Sequence, residues 1–172
     1  ASVVAKYTAA VFADANLVIS DTATNLAAMS ATVAAEANSI TVSAGTATVA
    51  EAVALDAFTA TSAATVNVSD TMANLTAGAS DAATLTILGG QNGIALSDAS
   101  SVADIVALDA LLANSGGAQT AIAKGATVTD TYANLATELG ANKVVDDAAT
   151  VNVTDAVTVA QVGNLKTAYD QN

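Results

Sequence analysis

Valine and isoleucine alternate with serine, threonine and asparagine over short stretches of this chain, and each such stretch runs into a helix signal. The clearest case is Val66-Asn67-Val68-Ser69-Asp70-Thr71-Met72-Ala73-Asn74-Leu75. Val66 and Val68 alternate with Asn67 and Ser69, which is the pattern of a half-buried strand. Ser69, Asp70 and Thr71 then offer side-chain oxygens to the free N–H groups of a following helix, whose first apolar residues are Met72 and Leu75. These residues predict strand, cap and helix in turn. The pattern returns as Ile19-Ser20-Asp21-Thr22-Ala23-Thr24-Asn25-Leu26 and as Val128-Thr129-Asp130-Thr131-Tyr132-Ala133-Asn134-Leu135. A looser copy is Val151-Asn152-Val153-Thr154-Asp155, followed later by Asn164-Leu165.

A second version alternates with the first. Ile40-Thr41-Val42-Ser43 predicts a strand with a turn at Gly45, and Thr48-Val49-Ala50-Glu51 opens a helix with a capping box between Thr48 and Glu51. Ser101-Val102-Ala103-Asp104 and Thr158-Val159-Ala160-Gln161 stand in the same place later on. We call the first version form A and the second form B; form B carries extra residues between strand and helix. Strand starts at Leu17, Ile40, Val66, Ile94, Ala126 and Val151 are separated by 23, 26, 28, 32 and 25 residues. Spacings of this size mark arrays and leave room for a helical crossover, so the strands are expected to run parallel. The predicted fold is an α/β solenoid with one parallel sheet and a layer of helices on its other side. It is read as a single segment over residues 1–172, with about six strand–helix coils of two alternating types.

Finer expectations follow from the same pattern. A helix runs from Thr22 to about Ala37 with Leu26, Met29 and Val33 on one side, and Leu85-Thr86-Ile87-Leu88 is an extra strand before the turn Gly89–Gly93. Residues 1–16, with Val4, Tyr7, Val11 and Phe12 at helical spacing, read as the back half of a repeat. Both ends of the segment read as open stacking faces without polar capping repeats.

Composition narrows the function. Apolar residues are 53% of the chain but aromatics only 3%, so the core is built from small side chains. Sixteen acids against four lysines and no arginine give a net charge of −12, which repels phosphate backbones and disfavours nucleic acid as a partner. No cysteine is present, so disulfides and thiolate chemistry are excluded, and no apolar run is long enough to span a membrane. Histidine and tryptophan are absent too, which removes the usual general base and imidazole metal ligands. The acids that remain recur at equivalent places (Asp21, Asp70, Asp98, Asp130, Asp155), whereas a catalytic pair is unique to its site. The chain is therefore read as no enzyme, with no catalytic, cofactor-binding or metal-ligating residue assigned.

Three sets of residues stay open to more than one reading. The recurring aspartates read as helix N-caps or as calcium ligands in the turns, with Asp146, Asp147 and Gly89–Gly93 as the best calcium candidates. GGQNGIALS lacks the aspartate of the calcium-binding nonapeptide, so no cofactor is assigned and calcium is the one left open. Asn25, Asn74, Asn134 and Asn164 each precede a leucine and read as a buried asparagine ladder or as plain polar helix positions. Thr41 and Ser43, Asn67 and Ser69, Thr127 and Thr129, and Asn152 and Thr154 form an outward row that suits ice or carbohydrate, or an ordinary solvated face.

The alternation of Ser20–Leu26, Ser69–Leu75 and Thr129–Leu135 with Thr48–Leu55, Ser101–Leu108 and Thr158–Leu165 resembles repeats of long secreted bacterial surface proteins. These are adhesin-like, S-layer-like and hemolysin-type calcium-binding repeat proteins. The resemblance implies export to the cell surface and an architectural role: a structural repeat module of a surface layer, adhesin or self-assembling filament. Its partners would then be copies of itself or neighbouring repeats end to end, and cell-surface glycans under an adhesin reading. The alternative is an ice- or carbohydrate-binding module that uses the outward Thr/Ser/Asn row.

Overall fold

The alternating stretches become short strands, and every strand pair among the described residues is parallel because a helix-bearing crossover separates the two partners. A computed structural model describes residues 17–43, 45–58, 66–115, 126–138 and 148–170. In chain order these are β1 (Val18–Asp21), α1 (Ala23–Ala27), α2 (Ala31–Ala35), β2 (Ser39–Val42), β3 (Thr46–Ala47) and α3 (Val49–Asp56). There follow β4 (Asn67–Asp70), α4 (Met72–Ser80), α5 (Ala82–Gly89), β5 (Gly93–Leu96), β6 (Ala99–Ser100) and α6 (Val102–Leu112). The last are β7 (Thr127–Asp130), α7 (Tyr132–Thr137), β8 (Thr150–Val153) and α8 (Val159–Tyr169). The six strand starts expected from the sequence each fall within one residue of an observed strand.

The expected single sheet is instead three small ones, ordered β1-β2, β3-β4-β5 and β6-β7-β8. The cause is the extra length of form B. The first two form-B segments each hold two strand pieces with a bend between them. The first piece pairs with the form-A strand before it, as Ile40 with Ile19 and Ile94 with Val68. The second pairs with the form-A strand after it, as Ala47 with Val68 and Ser100 with Val128. Gly45, at φ 90°, supplies a left-handed turn in the first of these bends. Both sides of a form-A strand are fixed in the same way: Asn92 N–H donates to the Val66 carbonyl at 3.0 Å and Ser97 N–H to the Asp70 carbonyl at 2.9 Å. Equivalent bonds join Asn38 to Leu17, Ser43 to Asp21, Ala149 to Ala126 and Thr154 to Asp130.

Two element predictions are corrected. The helix expected over residues 22–37 is two short helices, because the Ser30 hydroxyl accepts the Val33 N–H and starts a new one. The expected strand Leu85–Leu88 lies inside α5. Asp81 caps that helix by accepting the Thr84 N–H at 2.9 Å, and Leu85 and Leu88 then fall one turn apart toward the core. Residues 1–16, Asp146 and Asp147 lie outside the described residues.

The core is a row of small and branched side chains. Val68 and Val128 are fully buried at the centres of their ladders, and the leucine after each asparagine (Leu26, Leu75, Leu135, Leu165) is buried beneath its helix. A separate cluster of Leu26, Met29, Ala34, Ala37 and Ile40 underlies the first unit, with Val33 half-buried against it. The α1 helix packs on α3, α4 on α6 and α7 on α8. No helix among the described residues is long and apolar enough to cross a membrane.

Among the described residues one buried side-chain polar atom lacks a partner. The hydroxyl of Ser100 sits on the inward side of β6, where the equivalent residue of β3 is Ala47. An orphan hydroxyl of this kind costs free energy that an alanine avoids. We expect Ser100→Ala to raise stability by about 1 kcal/mol, read as a higher urea midpoint at unchanged slope.

Candidate functional site

The aspartate that closes each form-A strand accepts several hydrogen bonds. Asp70 Oδ1 accepts the Thr71 N–H at 2.8 Å and the Asn74 side-chain amide at 2.8 Å, and Oδ2 accepts the Val49 N–H at 3.0 Å. Asp130 repeats the arrangement with Thr131 at 2.8 Å, Asn134 at 2.7 Å and Val102 at 3.1 Å. Asp21 holds Thr22 and Asn25, both at 2.8 Å, through Oδ1. Val49 and Val102 are the first residues of α3 and α6, whose opening N–H groups have no partner within their own helices.

Form B returns the bond in the same sense along the chain. Asp98 accepts the N–H of Met72, the first residue of α4, at 2.9 Å, and Asp155 accepts that of Tyr132, the first residue of α7, at 2.7 Å. The helices α3, α4, α6 and α7 therefore have their first amide taken by an aspartate 21 to 28 residues further on: Val49 by Asp70, Met72 by Asp98, Val102 by Asp130 and Tyr132 by Asp155. The carboxylate also faces the positive end of the helix dipole. In the first form-B segment, alanine stands in the sequence at position 44, where Asp98 and Asp155 stand in the later ones.

These aspartates are not the N-caps. Threonine is: Thr22, Thr71 and Thr131 accept the N–H of Asn25, Asn74 and Asn134 through their hydroxyls. The capping box of Thr48 with Glu51 is present, and Thr158 with Gln161 forms another. Nor is there a buried asparagine ladder. Asn25, Asn74 and Asn134 are exposed, and each donates to the aspartate four residues before it; the Asp-x-x-x-Asn spacing was the sequence signal for this bond. Asn164 alone reaches another unit, donating to the Tyr132 hydroxyl at 3.3 Å.

Hydrogen bonds hold the pKa values of Asp21, Asp70 and Asp130 below the ordinary carboxyl range. The Asn25 and Asn134 amides are the main cause for Asp21 and Asp130, with the threonine N–H groups beside them. At Asp70 burial is the largest influence and pushes upward, but the bonds from Asn74, Val49 and Thr71 outweigh it and the net shift is down. The Thr24 hydroxyl on α1 and the Thr48 N–H hold Glu51 down as well. A carboxylate already facing several N–H donors has little left to offer a cation. Among the described residues no group of three or more acidic, histidine or cysteine side chains is placed to hold a metal.

The outward polar row is discontinuous. Asn67 and Ser69 pair with Gly93 and Ala95, and Thr127 pairs with Ala99 on one side, so the hydroxyls do not form one flat array. Two apolar grooves lie elsewhere. One, of about 450 Å³, runs between β8 and α8 and is lined by Val151, Val153, Val162, Leu165 and Tyr169. The other, of about 340 Å³, lies on β1 and α1 and is lined by Ile19, Asp21, Leu26, Met29 and Val33.

Removing the Asp70 carboxylate strips two units at once. We expect Asp70→Ala to cost about 3 kcal/mol and Asp98→Ala, which breaks a single bond, about 1 kcal/mol, both from urea titrations. A carboxyl whose folded-state pKa lies below its unfolded value stabilises the fold above the unfolded value, about 3.9 for aspartate, and loses that contribution as pH falls through the folded value. The urea midpoint should therefore be level from about pH 7 to 5, fall below about pH 3.9, and fall less steeply in Asp70→Ala. No protein-family model, no curated protein and no solved structure matches this chain.

Proposed function

We propose that this chain is a repeat solenoid serving as a structural extracellular module of a bacterial surface layer, adhesin or filament. The observation that carries the reading is the bond between a helix's first amide and a later aspartate, repeated at four successive junctions. Each unit is thereby tied to its neighbour by backbone pairing, by a carboxylate bridge and by a shared apolar row. Nearest-neighbour coupling of this kind makes length and stiffness additive, which is what a spacer requires. The acidic surface, the absence of cysteine and the likeness to secreted repeat proteins support a place outside the cell. The interrupted hydroxyl row lends little to an ice- or glycan-binding role.

Two measurements test this. Head-to-tail genetic fusions of two and three copies should lengthen in proportion by small-angle scattering while keeping a constant cross-section; a compact particle overturns the solenoid. Antibody against the chain should label intact cells of its source without permeabilisation, and labelling confined to opened cells overturns the surface role.

A further inference from the structure

The face formed by β8 and α8 lacks the cover that its equivalents have. At the first residue of the two earlier form-B helices, Val49 is 8% exposed and Val102 5%, because a form-A strand lies against them; Val159, in the same place on α8, is 91% exposed. Ala156 and Val157 hold the positions of β3 and β6, which are strands because β4 and β7 pair with them. Val162 is 51% exposed at the mouth of the adjoining groove. At β1 the complementary features are present: Val18 is 55% exposed, and among the described residues Asp21 accepts through Oδ1 alone, whereas Asp70 and Asp130 use Oδ2 to hold a form-B helix.

We propose that the β8–α8 face takes the β1 edge of a second copy of this chain, with Asp21 Oδ2 of that copy accepting the Val159 N–H. This rests on the array reading above and names the contact that extends it. The interface continues one already present twice within the molecule. The register of Thr46 with Asn67 and of Ala99 with Thr127 places Ala156 opposite Val18 and Val157 opposite Ile19 of the incoming copy. A form-A strand after a form-B helix also preserves the alternation of the chain. The two surfaces differ, so the contact is head-to-tail and does not close on itself in a dimer; it adds copies indefinitely.

Sedimentation velocity on the whole chain, residues 1–16 included, over a wide concentration range tests the proposal. The sedimentation coefficient is expected to climb with concentration without a plateau at the dimer. Val159→Pro deletes the amide while a helix's first position accepts proline, and Thr158, at ψ 162°, already has the extended backbone that a following proline demands. It should weaken association about tenfold or more, the worth of one hydrogen bond to a charged acceptor. Asp21→Asn turns the free oxygen into a second donor and should weaken it similarly, and Val162→Glu should abolish it. Circular dichroism of each variant, matching the parent, separates these effects from unfolding. A chain that stays monomeric throughout overturns the contact, as does association unchanged in all three variants; the latter result leaves the array reading standing, since tandem fusions measure it independently.

Discussion

A helix begins with N–H groups that its own turns cannot satisfy, and in this protein the first of them is handed to a carboxylate belonging to the next stretch of chain. That single requirement ties local structure to tertiary structure. The aspartate sits at a strand's end, so satisfying the amide fixes how far the neighbouring strand slides along its partner. Register and helix capping become one constraint. The same carboxylate orders its own helix through threonine and asparagine, so in Asp70 and Asp130 one side chain holds two units.

The small side chains fit this scheme. Strands of two to four residues and helices of five to eleven are too short to stand alone in water. They persist because they bury small and branched side chains against neighbouring units, as Val68 does between Ala47 and Ile94. Among the described strands β1 and β8 are each paired on one side, and Ile19, Val151 and Val153 are only partly covered while Val68 and Val128 are fully so.

The acid-rich composition takes on a different meaning in this light. A chain with sixteen acids invites a search for metals or catalytic pairs. Asp21, Asp70 and Asp130 are instead occupied by backbone and asparagine donors, which lowers their pKa and keeps them charged. Their chemistry is that of fixed acceptors.

The alternation of Val66 and Val68 with polar residues, the threonines at the helix starts and the buried leucines were legible because strands and caps are set by neighbours in sequence. Leu85–Leu88 was not: a short apolar run fits strand and helix equally, and Asp81 decided it from outside the run. The two-form alternation was readable, yet its consequence was hidden. Only in three dimensions does the extra length of form B divide the sheet, since the chain bends at Gly45 and offers its two strand pieces to different partners. The sequence by itself determined which residues form strand, cap and helix, because those preferences act within a few residues. The tertiary structure alone decided where each aspartate's second oxygen goes, because that acceptor and its donor lie more than twenty residues apart and meet only after the strands have paired.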